Sequence, residues 1–268
     1  MNKLQITHFN ELDYSCKEAL NTLCANISFL GSDIKKIMVT SSQVSEGKSF
    51  LAMNMMRTLA GLGKSVVYID ADLRRSYISN KYKLKFTSNT QGLAHYLAGM
   101  CNVEDILYST DIVGAYMVPV GRTITNSLPL LSTTRLKELL DALARTYDVI
   151  LIDAPPLGLI IDAAEIAKSC DGALLIVSYN KVSRQELNDI KNQIITAGCK
   201  VLGVVINGVT FDTLSSKRFY YRSYYSHNTQ YYATEDDQPP ERERRRFSIR
   251  RILPERRIKN KDEKIKRG

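Results

Sequence analysis

Apolar residues along this 268-residue chain fall into two alternating kinds of segment. Short, nearly continuous apolar runs predict buried strands, and longer segments with apolar residues every three or four positions predict helices. The predicted strands include SVVYIDAD, YDVILIDAPP, GALLIVS and KVLGVVING. Because strands alternate with helices, we expect crossover connections and an α/β fold, with a mostly parallel, doubly wound sheet and helices on both of its faces.

The same pattern divides the chain into three parts. Residues 1–34 form an N-terminal helical segment, with a helix predicted over 15–30, and residues 35–209 carry the alternating strands and helices. After residue 209 the apolar pattern ends, and the sequence is polar, charged and rich in tyrosine. A segment with so little to bury cannot offset the entropy lost on ordering, so we expect residues 210–268 to form a flexible tail.

Charge is concentrated at the end of that tail. Of the formal net charge of +9, residues 241–268 carry +8 (13 Lys and Arg against 5 Asp and Glu), which leaves +1 for residues 1–240. A neutral body gives no indication of nucleic-acid binding. The basic end could contact an anionic membrane surface, and a solvated tail or non-specific nucleic-acid contact are the alternatives.

Cysteine usage and the lack of long apolar runs bear on location. The five cysteines form no C-x-x-C pair and there are only 3 histidines, so a structural zinc site is not expected. The sequence shows neither a signal peptide nor a run long enough to span a membrane. We therefore expect reduced thiols and a cytoplasmic location, with any membrane contact made through a partner or through charge.

Residues 42–49, SQVSEGKS, have the spacing of a phosphate-binding P-loop and lie between a predicted strand and a predicted helix. Gly47 allows close approach of the backbone to phosphate, Lys48 would reach the β and γ phosphates, and Ser49 would bind Mg²⁺. Ser42 and Ser45 stand where many P-loops carry glycine. ATP and Mg²⁺ are the predicted cofactors, and a polar loop that merely contains GKS is the alternative. The predicted nucleotide contacts are Ser45, Glu46, Gly47, Lys48, Ser49 and Phe50.

Three carboxylates follow two of the predicted buried strands. Asp70 and Asp72 end the strand VVYI, and Asp153 ends VILI. Carboxyl ends of parallel strands meet at one edge of a sheet, where the P-loop also lies. Asp70 and Asp72 point to alternate faces, so one would hold Mg²⁺ and the other accept a proton from an incoming hydroxyl. We predict Ser49, Asp72 and Asp153 as metal ligands and Lys48, Asp70, Asp72 and Asp153 as catalytic residues, against the alternative that acids merely terminate strands.

Tyrosines cluster in the tail instead of being spread over the chain. Six of the 15 tyrosines lie between residues 220 and 232. Together with a P-loop, this clustering indicates phosphoacceptors, whereas alone it would indicate an aromatic linker or a partner-binding patch. The candidate acceptors are Tyr220, Tyr221, Tyr224, Tyr225, Tyr231 and Tyr232.

Taken in order, the motifs resemble those of the bacterial tyrosine kinases of capsule and exopolysaccharide synthesis, which are P-loop proteins related to MinD- and ParA-type ATPases. The resemblance covers about residues 15–209 and rests on SSQVSEGKS, VVYIDADLRRS and VILIDAPP, supported by QGLAHYLAG and KVLGVVING. It implies an ATP-dependent protein-tyrosine autokinase that regulates capsular or exopolysaccharide polymerisation or export. The short tether before Tyr220 favours phosphorylation of the tail between molecules.

The resemblance also implies residue roles and partners. Asp70 and Asp72 would form a second Walker-like motif, Asp153 would be the Walker B acid, and Asn207 would contact adenine. The implied partners are a membrane adapter of the polysaccharide chain-length-determinant type, which recruits the kinase to the inner face of the cell membrane, and a phosphotyrosine phosphatase. Copies of the chain would associate in a ring through the N-terminal helical segment.

Some positions depart from the family pattern. In the N-terminal helix Glu18 is retained, but Asn21 and Cys24 stand where the family usually carries arginines for subunit contacts. We therefore expect weakened self-association, a mostly monomeric isolated chain, and stronger association when arginine is restored at both positions.

Departures in the P-loop keep a second function open. Val44 and Ser45 replace the usual Pro-Gly. With the changes in the helix, they motivate the alternative of a catalytically weak or inactive nucleotide-binding regulator or assembly factor of the polysaccharide export machinery. A partition or division-site ATPase is a third interpretation, which Gln43 disfavours because those proteins carry a signature lysine there.

Overall fold

A mixed but mainly parallel sheet organises the structure, a computed structural model that describes residues 2–87, 90–158 and 160–209. Within these ranges the strands are β1 (Asn2–Ile6), β2 (Lys36–Ser41), β3 (Val66–Asp70), β4 (Leu84–Phe86), β5 (Tyr108–Ser109), β6 (Ala115–Val118), β7 (Val149–Asp153), β8 (Gly172–Ser178) and β9 (Lys200–Asn207). Their order across the sheet is β4-β1-β5-β6-β3-β7-β2-β8-β9. The pairs β6·β3, β3·β7, β7·β2, β2·β8 and β8·β9 are all parallel, which confirms the predicted sheet.

Helices cover both faces of this sheet, as expected for a doubly wound α/β fold. They are α1 (Tyr14–Ser28), α2 (Lys48–Gly61), α3 (Ile78–Lys81), α4 (Leu93–Leu97), α5 (Val103–Ile106), α6 (Leu128–Leu131), α7 (Thr134–Thr146), α8 (Asp162–Ala167) and α9 (Arg184–Thr196). Helices α1 and α2 contribute to one apolar cluster, and α4, α7, α8 and α9 contribute to the other. The predicted fold class is therefore confirmed.

Strand β3 shows why the central strands are apolar throughout. Val66 and Tyr68 belong to one apolar cluster, whereas Val67 and Ile69 belong to the other, and all four side chains are fully buried. A strand that is buried on both faces has no solvent side for polar residues, so it reads as a continuous apolar run.

Strand β1 lies in the segment for which the sequence predicted only a helix. It pairs antiparallel with β4 and parallel with β5, so residues 1–34 contain a strand that is part of the common sheet. Only Leu4 and Ile6 of its side chains are buried. Two apolar residues in a five-residue strand give a weak local pattern, and the partners are distant in sequence. The described residues belong to one compact unit that ends at Val209.

The tail lies outside the described residues. This applies to all of residues 210–268, with the tyrosine cluster at 220–232 and the basic end at 241–268. Its predicted flexibility stays a prediction. In the part of the chain that is described, no helix has both the length and the apolar character needed to cross a membrane.

The packing of α1 distinguishes the two positions at which the family pattern has arginines. The helix begins after Asp13, whose side chain accepts a hydrogen bond from the N–H of Cys16 at 2.7 Å. Asn21 is exposed, but Cys24 is fully buried in the cluster formed with α2, and burial raises the pKa of its thiol to about 12. An arginine at position 24 would therefore place a charge in the core instead of on a surface available to another subunit.

We expect Cys24→Arg to lower the free energy of unfolding by about 3–5 kcal/mol, because it buries a charge without a partner. Urea denaturation followed by circular dichroism measures this change. The matched control is Asn21→Arg, at an exposed position of the same helix. Its free energy of unfolding should stay within about 0.5 kcal/mol of that of the original chain. A stable Cys24→Arg chain that elutes as a larger oligomer would instead support the arginine-mediated self-association inferred from the sequence.

Candidate nucleotide site at the carboxyl edge of the sheet

The predicted P-loop connects β2, which ends at Ser41, with α2, which begins at Lys48. Gly47 has φ 92°, a conformation that favours glycine, and a Cβ at this position would lie 2.1 Å from the side-chain nitrogen of Asn207, which would have to move. Ser45 has φ 62°, in the left-handed region, where a side chain costs about 1–2 kcal/mol. The structure thus places Ser45 in a conformation that glycine adopts without strain.

Glu46 holds the loop in shape through its buried side chain. Its Oε2 accepts hydrogen bonds from the Ser42 hydroxyl and the Gln43 N–H, both at 2.8 Å, and its Oε1 accepts from the Ser178 N–H at 2.9 Å. Both carboxylate oxygens therefore have partners within the protein. An ionised carboxylate only accepts hydrogen bonds, so Glu46 can contribute its backbone N–H, but not its side chain, to a bound phosphate.

Asn207 and Phe50, two other predicted nucleotide contacts, also have partners within the protein. The Asn207 side-chain nitrogen donates to the Glu46 carbonyl oxygen at 2.8 Å, which connects the end of β9 to the P-loop. The Phe50 ring packs against the apolar cluster of α1 and α2, with the Lys81 ammonium 5.3 Å from the ring centroid. The contact of Asn207 with adenine stays a prediction.

The predicted carboxylates lie beside the P-loop lysine. Asp70 on β3 and Asp153 on β7 are direct neighbours in the sheet register, and Asp72 follows two residues after β3. Lys48 Nζ lies 3.5 Å from Asp72 Oδ2, 3.9 Å from Asp153 Oδ1 and 3.5 Å from the Ser49 hydroxyl oxygen. The folding of the chain has therefore brought together Lys48, Ser49 and the three acids at one edge of the sheet.

Burial and mutual repulsion raise the pKa values of two of these acids. For Asp70 the cause is mainly desolvation and then the charge of Asp153, and together they raise its pKa to about 8, although the Ser76 hydroxyl donates a hydrogen bond to it. Desolvation also raises the pKa of Asp153, and the nearby Lys48 charge opposes this shift. The Tyr68 hydroxyl donates to Asp153 Oδ2 at 2.7 Å.

An ion pair that the sequence did not predict braces the chain after β3. Arg74 Nε and Nη2 donate to the two carboxylate oxygens of Asp162 at 2.8 and 2.9 Å, and Nη1 donates to the Thr125 carbonyl oxygen at 3.0 Å. The Ser127 hydroxyl also donates to Asp162. Although burial opposes it, the hydrogen bond from Arg74 lowers the pKa of Asp162. Arg74 lies two residues after Asp72 in the sequence, but its partner is 88 residues away and carries no local signal.

The geometry fits a nucleotide with Mg²⁺ better than a metal bound by protein alone. Among the described residues, no group of three or more Asp, Glu, His or Cys side chains is arranged to hold a metal ion. Mg²⁺ typically uses one or two carboxylates, and phosphate oxygens and waters complete its ligands. Asp70 Oδ1 and Asp153 Oδ1 are buried acceptors without a hydrogen-bond partner in the described part of the chain. The Asp153 oxygen is available to a cation that arrives with phosphate, whereas Asp70 holds a proton below a pH of about 8.

Known proteins that are similar to this chain include several that are named tyrosine-protein kinases. The sequence family described as an AAA domain matches residues 34–200. The tyrosine-protein kinase CpsD of Streptococcus agalactiae serotype Ia is 34% identical over 194 residues, which cover 72% of this chain and 83% of that protein. The tyrosine-protein kinase YwqD of Bacillus subtilis is 30% identical over 205 residues, which cover 76% and 85% of the two chains.

Solved structures that are similar to this chain include a tyrosine kinase domain and a MinD protein. The kinase domain of the Escherichia coli tyrosine kinase ETK matches with a TM-score of 0.68 at 25% identity, over 81% of this chain and 79% of that chain. The septum site-determining protein MinD from Pyrococcus horikoshii, solved with Mg-ADP, matches with a TM-score of 0.54 at 24% identity, over 65% and 70% of the two chains. The second likeness is one of fold alone.

A mainly parallel sheet with a P-loop between β2 and α2, and with acids at the carboxyl ends of β3 and β7, has the α/β fold of P-loop nucleoside triphosphatases, a fold that MinD shares. Within that class, this chain belongs to the bacterial tyrosine kinase family.

The raised pKa of Asp70 predicts how stability depends on pH. A folded-state pKa of about 8, against an ordinary value of 3.8, means that the folded state binds the proton more tightly than the unfolded state. The free energy of unfolding should therefore fall as pH rises between about 4 and 8, by at most about 1.4 kcal/mol per pH unit from this group. Asp70→Asn should reduce that slope, and Asp153 should maintain part of it.

Urea denaturation at several pH values, without metal or nucleotide, measures the slope. The control is Asp141→Asn, because hydrogen bonds from Lys137 and Lys36 lower the pKa of Asp141, and its titration lies below this pH window. An Asp70→Asn chain with an undiminished slope between pH 5 and 8 would contradict the assignment.

Proposed function

We propose that this chain is an ATP-dependent protein-tyrosine autokinase that phosphorylates the tyrosines of its own C-terminal tail and thereby regulates capsular or exopolysaccharide polymerisation or export. The observation that carries the proposal is the position of Lys48 and Ser49 at the start of α2, beside Asp72 and Asp153. Similarity to proteins named tyrosine-protein kinases supports the reaction class.

Each group in the site has a chemical part in phosphoryl transfer. The backbone N–H groups of residues 45–50 are suited to bind the phosphates of ATP. We assign Mg²⁺ to Ser49, Asp72 and Asp153; when bound, it would neutralise charge on the β and γ phosphates. Lys48 would leave its acidic neighbours for the γ phosphate and stabilise the charge that develops during transfer.

A proton acceptor is needed as the tyrosine oxygen attacks the γ phosphate and ADP leaves. Because Asp72 is assigned to Mg²⁺, Asp70 is the candidate. The pKa of Asp70, about 8, lies close to the pH at which the protein would work, which favours general-base catalysis. Because Lys48, Ser49 and the three acids are all present and lie together, we favour a kinase over an inactive regulator.

The partners follow from the same proposal. A membrane adapter of the polysaccharide chain-length-determinant type would recruit the kinase from the cytoplasm to the inner face of the cell membrane, and a phosphotyrosine phosphatase would reverse the modification. Self-association would be weak, and the basic end at 241–268 could add contact with anionic lipid. One relative is named a putative tyrosine-protein kinase in the cps region of Klebsiella pneumoniae, and this chain covers 26% of that protein.

Replacement of the P-loop lysine tests the reaction. We expect Lys48→Met to reduce tyrosine phosphorylation at least about 100-fold, because the charge that stabilises the transferring phosphoryl group is lost. Intact mass and anti-phosphotyrosine signal after incubation with ATP and Mg²⁺, with and without the cytoplasmic segment of a candidate adapter, provide the measurement. The control Lys64→Met changes an exposed lysine after α2 and should retain activity. Full activity in Lys48→Met would refute the P-loop assignment.

The route of transfer can be tested by mixing two chains. Tyr220 follows Asn207 by only 13 residues, and Asn207 is bonded to the P-loop, so a tail that doubles back into its own site meets a strong orientational penalty. We expect an active chain truncated after Asp212 to label the tail of a full-length Lys48→Met chain. If only intact active chains become labelled, at a rate independent of concentration, transfer takes place within one molecule.

A further inference from the structure

The two carboxylate oxygens of Asp153 have different surroundings. Oδ2 accepts a hydrogen bond from the Tyr68 hydroxyl at 2.7 Å. Oδ1 is buried without a hydrogen-bond partner among the described residues, and the Lys48 ammonium lies 3.9 Å from it. The phenol therefore occupies one oxygen and leaves the other facing the P-loop, where a phosphate-bound cation would be held.

Tyr68 can fix the orientation of Asp153 because it is itself held rigidly. It lies on β3, two residues before Asp70, and its backbone pairs with Leu151 of β7, two residues before Asp153. Its side chain is completely buried in the apolar cluster of α1 and α2. A hydrogen bond from a neutral hydroxyl to a carboxylate is short and strong, and here water cannot compete for either group.

A second buried tyrosine in the same neighbourhood lacks this contact. Tyr82, which follows α3, is 3% exposed, and burial and then the charge of Asp153 raise its pKa, but its hydroxyl has no hydrogen-bond partner among the described residues. Its ring packs edge-on against Phe9. The chain thus offers two buried phenols whose pKa values are raised by burial and by the same carboxylate, and one of them donates a hydrogen bond to it.

We propose that Tyr68 is a positioning residue for the Mg²⁺ site: its hydroxyl holds Asp153 Oδ2 so that Oδ1 faces the metal. The inference rests on the proposed function, since it requires that Asp153 binds Mg²⁺ together with nucleotide. Hydrogen-bond partners of metal ligands orient the ligand and tune its affinity, and their loss typically costs about 10–100-fold in metal binding.

The test measures ADP binding to the full-length chain by calorimetry as Mg²⁺ is increased from zero. In Tyr68→Phe, we expect a higher Mg²⁺ requirement: the Mg²⁺ concentration that gives half of the maximal increase in ADP affinity should rise about tenfold. ADP affinity without Mg²⁺ should stay unchanged, since the P-loop itself is intact. Tyr82→Phe is the matched control and should keep both quantities of the original chain. On an Asp153→Asn background, Tyr68→Phe should have no further effect on the Mg²⁺ dependence.

Different outcomes would contradict the Mg²⁺ assignment and the positioning role of Tyr68. An original chain whose ADP affinity does not respond to Mg²⁺ overturns the metal assignment and this proposal with it. A normal response in the original chain that is unchanged in Tyr68→Phe overturns the positioning role alone. The role is equally refuted if Tyr68→Phe does not fold while Tyr82→Phe does, or if Tyr68→Phe and Tyr82→Phe weaken the Mg²⁺ dependence to the same extent.

Discussion

Three buried carboxylates lie at one edge of the sheet, and the surrounding side chains are arranged so that they compensate the negative charge. Asp70, Asp72 and Asp153 are each less than a tenth exposed, and an isolated buried carboxylate costs several kcal/mol. The structure reduces this cost in three ways: the Lys48 ammonium lies between two of the acids, hydroxyl groups donate to Asp70 and Asp153, and Asp70 holds its proton up to a pH of about 8.

The P-loop lysine consequently has two sets of partners. Without nucleotide, Lys48 neutralises the strand-end acids, and phosphate would offer it a competing anion. Mg²⁺ that enters with the phosphate would supply the acids with the positive charge that Lys48 leaves. Such an exchange would account for the acids beside the P-loop lysine, since a buried carboxylate or a buried ammonium is unfavourable without a partner of opposite charge.

A different constraint holds the shape of the loop. Glu46 accepts from three donors, two of them within the loop and one at the end of β8, and its carbonyl oxygen accepts from Asn207 at the end of β9. These bonds preserve a loop in which Ser45 adopts a left-handed conformation. They also connect the backbone of the P-loop to the strand that leads into the tyrosine-rich tail. The departure from glycine at position 45 is therefore accommodated within a loop that is bonded to the ends of β8 and β9.

The sequence by itself determined the alternation of strands and helices, the P-loop and the identity of the strand-end acids, because each depends on a local pattern or on a few adjacent residues. It did not reveal β1, whose short pattern gains meaning only when distant strands pair with it, or the Arg74–Asp162 ion pair between residues far apart in the chain. The burial of Cys24, which makes position 24 unsuitable for a surface arginine, depends on how α1 packs on α2. The choice of Tyr68 over Tyr82 as the donor to Asp153 was likewise decided only by the tertiary structure, because a hydrogen bond depends on distances between side chains that sequence spacing does not specify.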